Sequence, residues 1–273
     1  MITHKTKEVS LDELWESAPI SDCASSTLGE RIFNPESLTN LPETARRYLE
    51  HAIAPETKLA AAVRLKMHGE IKLKKWIPFT AEQVICWERG LIWSATAWMN
   101  GFLPIVGSDR IIDGGGAMQW KLLGLFPVMT ADGADITRSA IGRLQAESMW
   151  LPSVLCGDEV SWTSTESSDL DSSLHSSFVV QGDRAELDFT IVGKASPLEN
   201  RSGRLKTFKL PRWGNPDGAE FHDLDFGGIV EEEGTFGGYT IPTRLRVGWY
   251  FGTERFESEG EFFRCTIDDA IYR

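Results

Sequence analysis

One stretch limits the folds open to this chain more than any other. The single long helical pattern, Ala134 to Cys156 (ADITRSAIGRLQAESMWLPSVLC), lies between two blocks of strand-like sequence. Asp135 or Thr137 stands where a helix takes its cap. Ile136, Ala140, Ile141, Leu144 and Met149 supply the apolar positions until Trp150-Leu151-Pro152 ends the element. Strands on both sides of one helix, without βα alternation, predict an α+β domain. Its expected form is a large antiparallel β-sheet that curls around one or two helices.

The flanking blocks carry the strand signal. Between Leu59 and Leu73 the residues Val63, Leu65, Met67, Ile71 and Leu73 alternate with Arg64, Lys66, His68, Glu70 and Lys72. This period of two marks a long antiparallel strand with one wet face, and Gly69 in its middle predicts a bulge or bend. Further strands are expected over Phe79–Trp87, Leu91–Met99, Asp109–Ile112 and Ala117–Leu123, with Asp113-Gly114-Gly115-Gly116 as a tight turn. After the helix come Val160–Thr165, Phe178–Gln181, Glu186–Val192, Arg204–Leu210, His222–Phe226, Tyr239–Tyr250 and Glu261–Ile271. Polar runs at Ser164–Ser177 and Ala195–Gly203 read as turns, and Gly227-Gly228 as a break.

Upstream, Ser10 caps a short helix, Leu11 to Ala18, and Pro19 to Asn40 reads as a linker, so residues 1–40 are expected to be an arm. Ala45, Tyr48, Leu49, Ala52 and Ile53 make an amphipathic helix at the start of a single body spanning 41–273.

A formal charge of −12 argues against a nucleic-acid partner, which needs a basic stripe. No apolar run is long enough for a transmembrane helix and the N-terminus has no h-region, so a soluble cytoplasmic protein is expected. Cys23, Cys86, Cys156 and Cys265 stand far apart, which fits reduced thiols. With no zinc-site, HExxH or EF-hand spacing, neither a metal nor another cofactor is expected.

Ten tryptophans imply a large aromatic core or a cavity with broad, stiff walls. Trp76, Trp93, Trp120 and Trp150 are the expected wall residues. On the central helix Arg143 and Glu147 are four apart and face each other, and a sheet enclosing that helix would bury them or set them beside a cavity. Asp109, which by the period of two shares a side with Asp113, completes the set of polar anchors. His222 beside Asp223 is a weaker acid–base candidate, because neighbouring strand residues point to opposite faces.

Several segments together resemble an uncharacterised bacterial family of unknown function. They are LPETARRYLEHAI from Leu41, MHGEI from Met67, WIPFTAEQ from Trp76, SDRIIDGGGAM from Ser108, RSAIGRLQAESMWLPSVL from Arg138, FGGYTIPTRLRVGWYFG from Phe236 and the closing FFRCTIDDAIYR. The order of elements is similar to that of the periplasmic lipoprotein carrier, and this implies a half-barrel closed by helices over an apolar cavity. The tryptophan excess, together with the curved-sheet pattern, makes a soluble binding protein for a hydrophobic or amphipathic, lipid-like small molecule the expected function. Two alternatives stay open: an enzyme using Arg143/Glu147 or Asp109/Asp113, and a partner-binding module docking through the N-terminal helix.

Overall fold

The computed structural model describes residues 8–19, 31–165, 171–193 and 203–273. The chain forms α1 (Leu11–Glu16) and α2 (Glu43–Ala52), followed by the strands β1 (Ala62–Lys72), β2 (Trp76–Cys86), β3 (Gly90–Met99), β4 (Leu103–Ile112), β5 (Gly115–Leu122) and β6 (Phe126–Asp132). Next come α3 (Ala134–Ala146) and two 3₁₀ turns, Glu147–Trp150 and Pro152–Cys156. The second block is β7 (Ser161–Thr165), β8 (Asp171–Val180), β9 (Asp183–Val192), β10 (Leu205–Gly214), β11 (His222–Phe236), β12 (Tyr239–Trp249) and β13 (Glu261–Tyr272). Among the described residues no helix is long and apolar enough to cross a membrane.

All the strands lie in one antiparallel 13-stranded sheet of order β6-β5-β4-β3-β2-β1-β13-β12-β11-β10-β9-β8-β7. Each block is a meander of hairpins. The first and last strands join the two meanders at the centre, from Val63 opposite Tyr272 to Ile71 opposite Phe263. The sheet's two edges, β6 and β7, are the strands just before and just after α3. The central helix therefore carries the chain from one edge to the other, and it packs on β4, β5 and β6 as well as on β9 and β10.

Local chemistry accounts for the turns. Asp113 (φ 48°) and Gly114 (φ 80°) form the two-residue β4–β5 turn, and Gly237 (φ 56°) and Gly238 (φ 90°) the β11–β12 turn. Paired positive φ matches the twist of the flanking strands. In β1 the inward residues Val63, Leu65 and Met67 are buried as the alternation requires. Gly69, however, is paired in register, and the irregularity falls between Lys66 and Met67, where β13 carries the extra Asp268. A Cβ on Gly69 would stand 2.0 Å from the Arg264 carbonyl oxygen, so glycine is there for close strand approach.

Other expectations are corrected. The α-helix stops at Ala146, with a 3₁₀ turn over Glu147–Trp150, rather than running to Trp150-Leu151-Pro152, and its N-cap is Gly133. Asp135 instead accepts from the Trp213 indole at 2.9 Å, and Thr137 Oγ1 accepts from the Gly116 amide at 2.9 Å. β8 occupies much of the supposed polar turn. Its inward residues Ser172, Leu174, Ser176, Phe178 and Val180 are all buried, so small hydroxyl side chains concealed the alternation. Gly227-Gly228 does not break β11; both residues pair on either side. Exposed β6 has no buried face and was not expected as a strand. The turn expected at Ala195–Gly203 lies almost wholly outside the described residues.

The N-terminal segment is docked on the sheet. The α1 capping box is complete, Glu13 N donating to Ser10 Oγ at 3.2 Å and Ser10 N to Glu13 Oε2 at 2.9 Å. Its apolar face, led by Leu14, packs on Ala62, Val84, Cys86 and Ile92, the side of the sheet away from α3. Phe33 and Leu38, expected in a linker, are buried in the main core. Cys86, Cys156 and Cys265 are free thiols, and Cys23 lies outside the described residues.

Candidate functional site

Where α3 faces the sheet, the side chains leave a cavity of about 620 Å³. The alternation of the strands builds its walls. Inward positions contribute Trp93 from β3, Met118 and Trp120 from β5, Phe208 from β10, and Val247 and Trp249 from β12. The helix contributes Ser139, Arg143 and Ala146, followed by Glu147 and Trp150, a stripe at helical spacing that continues into the first 3₁₀ turn.

Two wall tryptophans turn their polar edges to the protein. The Trp120 indole donates to Asp109 Oδ1 at 3.0 Å, and the Trp150 indole to the Pro242 carbonyl at 3.0 Å. Trp93 is different: its indole N–H is buried without an acceptor among the described residues, which costs about 1–3 kcal/mol. Trp120 lies so close over Gly107 that a Cβ there would meet the ring at 2.3 Å.

Six polar side chains reach the cavity: Gln83, Asp109, Ser139, Arg143, Glu147 and Arg212. Arg143 is the hub. Its Nε donates to Glu147 Oε1 at 2.7 Å, Nη2 to Gln83 Oε1 at 3.1 Å and Nη1 to Asp109 Oδ2 at 3.4 Å. Gln83 closes the ring by donating to Glu147 Oε2. Burial pulls the Arg143 guanidinium down, but Glu147 and Asp109 outweigh it and the net shift is upward. Burial pushes the Asp109 carboxyl up against the opposing pull of Arg143 and the Trp120 N–H. The arrangement is a hydrogen-bonded ion cluster of the kind that buried charges require.

Arg212, on β10, is placed differently. Its stem crosses α3 at Gly142, where a Cβ would stand 2.9 Å from Arg212 Cγ. Its Nε donates to the Ser139 carbonyl at 3.1 Å, and the guanidinium lies 4.5 Å from the Phe226 ring centre and 5.1 Å from that of Trp249. Burial, then repulsion from Arg143, bring its pKa down to about 9. It remains a cation at neutral pH.

Of the residues singled out in the sequence, Trp93, Trp120, Trp150, Arg143, Glu147 and Asp109 all line this cavity. Trp76 does not. It occupies the opposite face of β2 from Ile77 and Gln83 and sits beside Arg264 (4.2 Å) and Lys72 (5.9 Å). Asp113 is also apart from Asp109, in an exposed turn paired with Arg89 at 2.6 Å, so the two aspartates form no acid–base pair. Asp223 pairs with Arg138 at 2.9 Å, while His222 turns to the Glu220 carbonyl. Among the described residues no three His, Cys, Asp or Glu side chains group as metal ligands. Sequence reasoning missed Gln83 and Arg212. Gln83 had a signal, as a polar residue on the inward face of an otherwise apolar alternation. Arg212 lay beyond the expected end of its strand.

Comparison with known proteins places the chain in a family without assigning it a role. A model described as a family of unknown function, DUF6920, matches residues 39–272, and the chain belongs to that family. No curated protein sequence matches it. Among solved structures the chain is similar to a LolA superfamily protein from Nitrosomonas europaea, with a TM-score of 0.45 and 8% identity, covering 84% of this chain and 92% of that one. It is also similar to a domain named for outer membrane lipoprotein sorting, from Vibrio parahaemolyticus, with a TM-score of 0.40 and 6% identity, covering 78% and 86%.

Proposed function

We propose that this protein binds a hydrophobic or amphipathic small molecule in the cavity beneath α3. The observation that carries the reading is the finish of that cavity. About 620 Å³ is bounded almost wholly by apolar side chains, and most of its polar lining is already paired within the protein. Small-molecule sites typically occupy ~300–1,000 Å³ with a few placed polar groups. Trp93, Trp120 and Trp150 are the proposed contacts for the apolar part of the guest, with Arg143, Glu147 and Asp109 as a fixed polar wall; Trp76 has no part in it.

The reading includes a half-barrel. The 13 residues of α3 give a rod of ~20 Å. The helix touches both β4 and β9, which are eight spacings apart in strand order and so ~38 Å across a flat sheet. A strongly curved sheet reconciles these lengths. The described residues of 41–273 then belong to one body, which Phe33 and Leu38 also join, with α1 clasping its outer face.

The test is binding of the neutral fluorophore N-phenyl-1-naphthylamine to delipidated protein, with native mass spectrometry of freshly purified material. Saturable binding in the micromolar range or tighter is expected, together with a co-purifying small molecule that the fluorophore displaces. No saturable binding and no co-purifying molecule would overturn the proposal.

A further inference from the structure

Two arginines reach the same cavity with unequal partners. Every donor nitrogen of Arg143 has an acceptor: Glu147, Gln83 and Asp109. Arg212 donates only through Nε, to a backbone carbonyl, and among the described residues neither of its terminal amino groups has a protein acceptor. Phe226 and Trp249 flank the guanidinium and offer no hydrogen-bond acceptor, which leaves its terminal N–H groups as the available donors. The guanidinium is only half-buried and its terminal nitrogens open onto the cavity, so an anion entering there meets donors that the protein leaves unpaired and that ring faces satisfy only in part. Asp109 and Glu147, the carboxylates of this cavity, are held by Arg143 and reach Arg212 only at longer range.

We propose that Arg212 is the head-group site of the cavity, and that the guest is an amphiphile bearing one carboxylate or phosphate, its tail lying among the aromatic walls. This rests on the binding reading above. The planar guanidinium presents two parallel N–H groups, a geometry that takes both oxygens of a carboxylate or phosphate at once. Gly142 is the local accommodation for it. An interior glycine weakens a helix, and here any larger residue would push the Arg212 stem aside.

The test holds the tail constant and varies the head. Laurate, dodecyl phosphate, dodecanol and dodecyltrimethylammonium compete against N-phenyl-1-naphthylamine on the whole chain. In the wild type the two anions are expected to bind about 10-fold or more tightly than dodecanol, with the ammonium weakest. Arg212→Gln is expected to erase the preference for anions over dodecanol, and Arg212→Lys to retain part of it. Equal binding of all four heads by the wild type would overturn the head-group assignment while leaving the apolar cavity standing. Persistence of the preference in Arg212→Gln would overturn it too. If inorganic phosphate alone competes as well as dodecyl phosphate, the site serves a free anion and the amphiphile is rejected. If neither the fluorophore nor any alkyl ligand binds, the binding reading itself fails. Should Arg212→Gln not fold, the wild-type ranking decides alone.

Discussion

Beneath α2, Tyr48, Trp162 and Phe189 pack ring against ring, with centroids 5.5 to 6.4 Å apart, and close the space between the helix and β7 to β9. Beneath α3, Trp93, Trp120 and Trp249 stand around about 620 Å³. The two ends of the sheet use the same aromatic chemistry, so the difference comes from what the helices present. α2 turns Ala45, Tyr48, Leu49 and Ala52 into the core, two of them large. α3 turns Ser139, Arg143 and Ala146 into the cavity, with Gly142 beneath Arg212, so the stripe that lines the space is either small or committed to the ion cluster. α3 buries its large apolar residues Ile141 and Leu144 in the core away from the cavity lining, so the side chains it sends into the cavity hold two walls apart without filling the gap.

The contrast can be broken most strongly at Phe189. Phe189→Ala is expected to cost about 3–5 kcal/mol in chemical denaturation, since the ring is 2% exposed and enclosed by two others. Phe263→Ala, removing a ring that borders the cavity, should cost about 1–2 kcal/mol. Equal losses would mean that the two ends are packed alike.

Adding volume sharpens the same contrast. Ala185→Leu on β9, at a position with no exposure, should cost about 1–3 kcal/mol by overpacking. Ala97→Leu on β3, entering the cavity, should change stability by less than about 0.5 kcal/mol and weaken binding of the neutral fluorophore. Comparable destabilisation by both would argue that the cavity is closed in solution.

The smallest expected effect is on the outer face of the filled end, where His175 contacts Asp188 at 2.8 Å and Glu186 at 2.9 Å. Burial lowers its pKa, but the hydrogen bonds and charges of Asp188 and Glu186 outweigh this and the net shift is upward. Because the folded pKa is raised, the contribution is complete below the unfolded value of ~6.5 and is lost as pH rises through the folded one. His175→Gln should therefore lose a few tenths of a kcal/mol near pH 6, discounted for exposure, and progressively less at alkaline pH. Thermal melts across pH would show it; a loss independent of pH would remove the charge argument.

Much of the fold is legible where one physical pattern dominates. Val63 to Met67 alternates cleanly, and Ser10 with Glu13 spells its own cap. Legibility fails where small polar residues occupy inward positions, as Ser172 and Ser176 do in β8, or where glycine serves close packing within a strand, as Gly227 and Gly228 do in β11. Part of the site was legible too. The spacing of Arg143 and Glu147 anticipated their contact, and the excess of tryptophan pointed to walls. Trp76 could have been separated from the others by parity along β2, since it is one residue out of phase with Ile77 and Gln83. Nothing local, by contrast, placed Asp113 away from Asp109 or brought Arg212 onto Gly142.

By itself the sequence determined most of the elements that form: periods of two and of 3.6, turn residues and caps are properties of neighbouring residues and depend little on the rest of the molecule. Only the tertiary structure decided that β1 and β13 join the two meanders, that Arg143 has acceptors at every nitrogen while Arg212 has so few, and that aromatic rings fill one end of the sheet and line a space at the other. These outcomes depend on distances between residues far apart in the chain, and periodicity carries no information about such distances.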